Sequence, residues 1–423
     1  MSDDRGKLRQ VAWSELFGWL ELLRAFRLAT QVRLLALASA ALLLTIGGWW
    51  GIGQLFSGSG DEQLTGWIVA YGRGPRLSAY EPDAPAVDRN KAPLGMPEPG
   101  GMIVGPSHIG ELPDNPVFAA WYNLTGPFRQ LFEKRLTLAG LAFLLLCALW
   151  VDLVWAFFGG VITRLVALQV TRGERGSLRA AVRYVSNRYV AYVTAPLFPL
   201  LGVLLFVLPL AVVGLVGHVP GVGFVLLAIV WPAFLVAGLV ITIFLVGLLF
   251  GWPLMWPTIS AEGTDSFDAL SRSYSYVYQR PLHLAWYTVV ASLLGALAWL
   301  VVRLFAMTVI YVTAWGVSWG AGITVYGGQQ LVDASATAAH VMSFWMGLVR
   351  VVAASFIYTY FLTVATIVYF LLRQEVDGTE TDEVFVEEQA DKFGLPAVAP
   401  DAAGVPVVAE DEILENGAEA PLS

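Results

Sequence analysis

Cysteine is almost missing from this 423-residue chain, which has one, Cys147, inside an apolar run. A disulfide framework needs pairs and a thiolate metal site needs several ligands, so neither can be built. Charge is scarce as well, at 14% of residues against the ~25% usual in soluble domains. The four histidines, His108, His218, His283 and His340, are scattered, and none stands in an H-E-x-x-H or similar ligand spacing. No glycine loop followed by Lys-Ser/Thr is there to cradle a phosphate, and no catalytic constellation stands out. These absences argue against an enzyme and lead us to expect no cofactor, no metal and no nucleic-acid partner. A short apolar segment ending in a small-residue cleavage site is also missing from the N-terminus, so the first span is expected to stay as an uncleaved anchor.

Hydrophobic residues, by contrast, make up 57% of the chain, and several runs exceed the ~18 residues that mark a spanning helix. The expectation is an all-α integral membrane protein with six transmembrane helices in three hairpins. The spans fall near residues 34–56, 136–162, 193–216, 224–253, 284–302 and 351–372. Residues 1–33 read as an interfacial helix, because Val11, Phe17, Leu20, Leu23 and Leu28 alternate with Glu15, Glu21, Arg24 and Arg27 in an amphipathic pattern suited to the headgroup plane. Residues 57–134 hold ten prolines and eleven glycines, which predicts a mostly irregular insertion with short strands near 66–71 and 101–104. Its last part, 115–134, reads as a helix leading back to the membrane, and the glycosylation-like triplet at Asn123 as a chance match. Residues 374–423 carry fourteen acidic side chains against Lys392 alone, a balance of -13 that leaves +5 for the rest. That composition predicts a disordered acidic tail, in which the apolar patches 384–386 and 393–396 are candidate docking motifs.

Orientation follows from Lys and Arg near the span ends. Six precede the first span, six lie in the second connection and two, Arg272 and Arg280, in the segment 260–283, while the seven-residue turn 217–223 has none. All the basic connections fall on one side, so both termini are expected to be cytoplasmic, in an inner or plasma membrane, with the insertion extracytoplasmic. The polar segment 260–283 also has a counterpart in 173–192. Ser177-Leu-Arg-Ala-Ala-Val-Arg aligns with Ser266-Phe-Asp-Ala-Leu-Ser-Arg, and an Asn187-Arg188 or Gln279-Arg280 pair follows. Each places apolar residues at helical spacing, Leu178, Ala181, Val182 and Val185 in one and Phe267, Leu270, Tyr274 and Val277 in the other, so each predicts a surface helix between two spans. Asp265 or Ser266 can cap the second helix, and Pro281 marks its end. The glycine turn followed by Ser-Phe-x-Ala-Leu and an arginine resembles the repeated units of multi-pass families related to the membrane domain attached to some glycerophosphodiester phosphodiesterases. Over residues 160–372 that resemblance implies a fold of paired helices; the phosphodiesterase catalytic domain has no counterpart, so it implies no activity.

The residues out of place in lipid are the candidate functional ones. Asp152, in the second span, needs a partner, water or a proton, and is a candidate for ion or proton coupling; pairing with Arg164 is the plainer alternative. Arg303 and Arg350, symmetric about Gly327-Gly328, either line an anion site or snorkel into headgroups at the span ends, and snorkelling is the expected role. That choice leaves 304–349 to project outward as extended helices or to dip back as a re-entrant hairpin. Arg172, Arg175, Arg179, Arg183, Arg188, Arg272 and Arg280 are candidate contacts for anionic lipid or a protein partner. Two functions are carried forward: a non-enzymatic scaffold or assembly factor binding protein partners or lipid, and a transporter or channel with a polar pathway near Asp152 or Arg303 and Arg350.

Overall fold

The computed structural model describes residues 18–58, 62–68, 71, 115–132, 136–173, 175–322, 335–379, 384–385, 398–400 and 406–408. Up to Glu383 the described residues form one helical unit. A 3₁₀ turn (Gly18–Leu23) leads into α1 (Arg24–Ala29), α2 (Val32–Phe56) and α3 (Glu62–Trp67). Then come α4 (Pro116–Gln130), α5 (Leu138–Arg172), α6 (Leu178–Asn187), α7 (Tyr189–Gly214), α8 (Gly223–Glu262), α9 (Ser266–Gln279), α10 (Pro281–Ala321) and α11 (Ala336–Asp377). Among the described residues six helices are long and apolar enough to cross a membrane: α2, α5, α7 with its 3₁₀ extension to His218, α8, α10 and α11. The chain therefore reads as a multi-pass membrane protein. Beyond Glu383 lies a separate unit, in which Val398–Pro400 and Pro406–Val408 pair antiparallel with Ala399 opposite Val407.

The two aligned polar segments become α6 and α9. The helix before each stops at a glycine in the left-handed region, Gly173 (φ 69°) and Gly263 (φ 70°), a conformation that costs a side-chain-bearing residue energy. Each glycine N–H returns to the helix, to the carbonyls of Gln169 and Ile259. Asp265 caps α9 by accepting from the Asp268 N–H at 2.9 Å. The repeated arginines, Arg188 and Arg280, sit at the breaks where α6 gives way to α7 and α9 to α10. Arg188 also reaches across to donate to the Gly263 carbonyl at 3.3 Å, and so ties the break between α6 and α7 to the glycine that ends α8. We call this end of the bundle the base.

α11 is the central helix. It packs against α2, α5, α8, α10 and α4, and from Val351 to Arg373 nearly every residue is buried. Its interior surface carries Ser355, Thr359, Thr363 and Thr366, while α7 and α8 leave Leu204, Leu205, Val225, Ile229 and Leu235 exposed. Hydroxyls inside and aliphatic chains outside invert the pattern of a water-soluble bundle and suit a lipid solvent.

Three expectations are corrected. The N-terminal segment does not rest only on headgroups: Leu22, Ala25, Leu28 and Ala29 are buried. Thr359 of α11 donates to the Ala29 carbonyl at 3.0 Å, and Phe26 meets Phe356 edge-on, so one face of α1 packs on protein, while Leu23 of the expected stripe is exposed and Val11 and Phe17 lie outside the described residues. The strand placed near 66–71 is helical at Gly66 and Trp67, whereas 101–104 lies outside the described residues. In the tail, 374–377 continue α11 to a cap at Gly378, and the short strand pair adds order at 398–400 and 406–408. Apart from 379, 384 and 385, the remaining tail residues, 386 and 393–396 among them, lie outside the described residues together with residues 1–17, so the expectation of a disordered tail is one about residues outside those described.

Candidate functional site

α4, the end of the insertion, stands inside the bundle. Its polar contacts reach Ser292 of α10, Leu249 of α8 and Tyr358 of α11. Each of these lies eleven or more residues from either end of its helix, about 16 Å or more at 1.5 Å per residue. A helix starting at that depth has orphan N–H groups and no water to satisfy them. Asn115 meets the need, since its side-chain oxygen accepts from the Val117 N–H at 3.0 Å and its amide donates to the Ser292 carbonyl at 2.8 Å. Pro116 at the first helical position removes one further donor.

Between α4, α5, α7 and α8 lies a cavity of about 380 Å³. Helical spacing puts its lining on single faces: Trp121, Thr125 and Arg129 from α4; Val151, Asp152 and Trp155 from α5; Trp252 and Trp256 from α8. Pro196 and Leu200 of α7 close another side. Two prolines fix these walls. Pro196 cannot donate to the carbonyl four residues back, Tyr192, and the indole of Trp256 donates there instead, at 3.0 Å. Pro253 likewise frees the Leu249 carbonyl, which accepts from the Trp121 indole at 3.2 Å. A third indole, Trp155, donates to Thr45 at 3.0 Å and stacks on Tyr358 at 4.6 Å.

Two charged side chains meet this largely apolar space. Asp152 is 5% exposed, and its Oδ2 is buried without a hydrogen-bond partner among the described residues. Arg129 stacks over Tyr122 at 3.6 Å and donates from one terminal nitrogen to the Tyr122 carbonyl, yet its Nε is buried and unpartnered. The indole nitrogen of Trp252 is a third buried polar atom without a partner. No ion pair joins Asp152 to Arg129 among the described residues.

The other candidates fall elsewhere. Arg164 sits twelve residues beyond Asp152, about 18 Å along α5, too far to pair with it. It donates instead to the Ser260 carbonyl and stacks on Tyr184 at 3.9 Å, in a buried group where Ser260 also meets Thr163 and Tyr192. Arg303 and Arg350 do not line the cavity, and neither snorkels: they are 6% and 3% exposed, covered by protein because α10 and α11 run on past them to Ala321 and from Ala336. Residues 304–321 and 336–349 are thus extended helix, and 323–334 lie outside the described residues.

Of the seven candidate arginines, Arg172, Arg175, Arg179, Arg183, Arg272 and Arg280 have exposed side chains and Arg188 is half-buried. Arg188 and Arg272 are structural at the base. Arg188 lies over Tyr184 at 4.4 Å, and Arg272 pairs with Glu262 at 3.0 Å and with Asp377 at 3.9 Å. Glu262 also faces Arg373 at 3.6 Å, and Tyr276 donates to Asp377 at 2.6 Å. Burial, and then the neighbouring Asp377 carboxylate, push the Tyr276 hydroxyl above the usual tyrosine range.

Sequence reasoning found Asp152 by its charge but passed over Arg129, Trp121, Trp252 and Trp256, because tryptophan and arginine in an insertion or at a span end have ordinary anchoring roles. The signal that was available is the proline spacing, which leaves particular carbonyls in need of donors. Comparison with protein-family models, with curated proteins and with solved structures finds no match for this chain.

Proposed function

We propose that the chain is a non-enzymatic membrane protein that takes an amphiphilic small molecule into the cavity at Asp152, as a carrier or a ligand-binding membrane subunit. The observation that supports this most is the buried Oδ2 of Asp152, left without a partner on the wall of an apolar cavity large enough for a ligand. The rim supports it too. Phe132, Thr242, Val246 and Leu249 are exposed and lie beside the cavity, so the opening faces sideways at mid-height of the bundle. The Lys and Arg balance supports a topology with both termini and the base in the cytoplasm of an inner or plasma membrane and residues 57–134 entering from the other side. In that arrangement three hairpins, α2 with α5, α7 with α8 and α10 with α11, follow one another, each preceded by an interfacial helix.

The test is to extract the full chain in mild detergent and quantify bound amphiphile per chain by mass spectrometry, beside a Leu200→Trp variant that fills the cavity. Wild type should retain amphiphile and Leu200→Trp should lose most of it. Equal retention by the two would refute the reading. A scaffold role for the base is supported separately by the exposed Arg175, Arg179 and Arg183 of the α6 region. Replacing all three with glutamine should then weaken association with anionic vesicles without changing cavity occupancy.

A further inference from the structure

The charges on the cavity wall say which amphiphile fits, an inference that rests on the binding role proposed above. Asp152 offers an unpartnered carboxylate oxygen, and Arg129 Nε and Trp252 Nε1 offer unpartnered donors, all on one cavity and with no ion pair between the acid and the base. An anionic ligand would satisfy Arg129 and leave a carboxylate buried beside it. A cation would do the reverse, and a neutral ligand would leave the guanidinium without a counter-ion and the carboxylate either unpaired or obliged to take a proton, each at a cost in a low dielectric. A ligand carrying both signs answers both. The geometry points to a zwitterionic lipid headgroup, its ammonium on Asp152 among the indoles of Trp121, Trp155, Trp252 and Trp256 and its phosphate on Arg129 and Trp252. Aromatic faces favour an ammonium, and guanidinium with indole N–H favours phosphate oxygens. The volume of about 380 Å³ is at the small end of ligand sites, which suits a headgroup with its chains leaving through the apolar rim at Val246 and Leu249.

The experiment uses the delipidated full chain in detergent and four probes with the same dioleoyl chains: phosphatidylethanolamine, phosphatidylglycerol, trimethylammonium-propane and diacylglycerol. Pairwise competition is read by native mass spectrometry. Phosphatidylethanolamine should outcompete each of the others by about tenfold, the size expected when one charge-assisted hydrogen bond is lost. Asp152→Asn should shift the preference toward phosphatidylglycerol, and Arg129→Gln should shift it toward the trimethylammonium probe. The wild-type order stands as a test even where a variant fails to fold. Equal binding of all four probes, abolished by Leu200→Trp, would overturn the headgroup assignment and leave the cavity as a site for a neutral amphiphile. Binding that Leu200→Trp leaves intact would overturn the cavity reading itself.

Discussion

Replacing Trp256 with phenylalanine tests whether the prolines and tryptophans of the cavity wall are energetic partners. Pro196 leaves the Tyr192 carbonyl without its helical donor, and Tyr192 is fully buried, so no water can take that place. The Trp256 indole donates to it at 3.0 Å. Trp256→Phe removes the donor, and a buried orphan carbonyl costs about 1–3 kcal/mol, toward the lower end inside a membrane. The same substitution also loses ring volume, so the single variant is ambiguous. Pro196→Ala restores an N–H to the helix, which can then satisfy Tyr192 by itself. In that background Trp256→Phe should cost only the packing loss, and the cycle of four proteins should return a coupling of about 1–2 kcal/mol. Unfolding in mixed micelles with rising sodium dodecyl sulfate supplies the four free energies. If Trp256→Phe costs the same with proline or alanine at 196, to within about 0.3 kcal/mol, the indole is not replacing the missing N–H and the account of the cavity wall fails.

Three further outcomes follow from the contacts. Asn115→Ala removes both the cap of α4 and its tie to Ser292, so it should destabilise by about 2 kcal/mol and open α4 to proteolysis, against about 1 kcal/mol for Asp265→Ala at the accessible start of α9. An added Cβ at Gly247 would stand 2.2 Å from the Tyr274 ring, which is held by a bond to the Phe244 carbonyl, whereas a Cβ at Gly238 meets nothing within 4 Å. Hydrogen exchange in α9 should therefore quicken by roughly 5- to 150-fold in Gly247→Ala, the equivalent of about 1–3 kcal/mol of strain, and stay unchanged in Gly238→Ala. The raised Tyr276 hydroxyl stays protonated in the folded chain while an unfolded tyrosine ionises near pH ~10, so its stabilising share is complete below pH ~10 and falls away above it. Thermal melts across pH 8–11 should show that fall in wild type and a smaller one in Tyr276→Phe.

The spans were legible because their signal is local. A run of twenty apolar residues forms a helix in lipid whatever its neighbours do, and each of the six expected spans falls on a helix of that kind, five of them wholly within it and 136–162 starting two residues before Leu138. The surface helices were legible for a related reason: the cap at Asp265 and the stops at Gly173 and Gly263 are written within a few residues of the turns they make. Span lengths were less legible. Arg303 and Arg350 looked like end markers, but a charge ends a span only when its side chain faces lipid, and these two face protein.

The cavity escaped sequence reading because what defines it is relational. The same residue, Pro253, weakens α8 in isolation and yet supplies the carbonyl at Leu249 that holds Trp121, and with it α4, at the cavity edge. Pro196 does the same for Trp256, through the carbonyl it frees at Tyr192. A proline in a span thus becomes an address for a donor elsewhere in the chain, and the donor that answers comes once from the insertion and once from a neighbouring span. Asp152 follows the same logic with one difference. Its Oδ2 is an acceptor inside the bundle that no described residue answers, although indoles of the same cavity wall answer the carbonyls of Tyr192 and Leu249. A wall that satisfies its structural carbonyls and leaves a carboxylate oxygen open is the arrangement that the proposed binding role calls for.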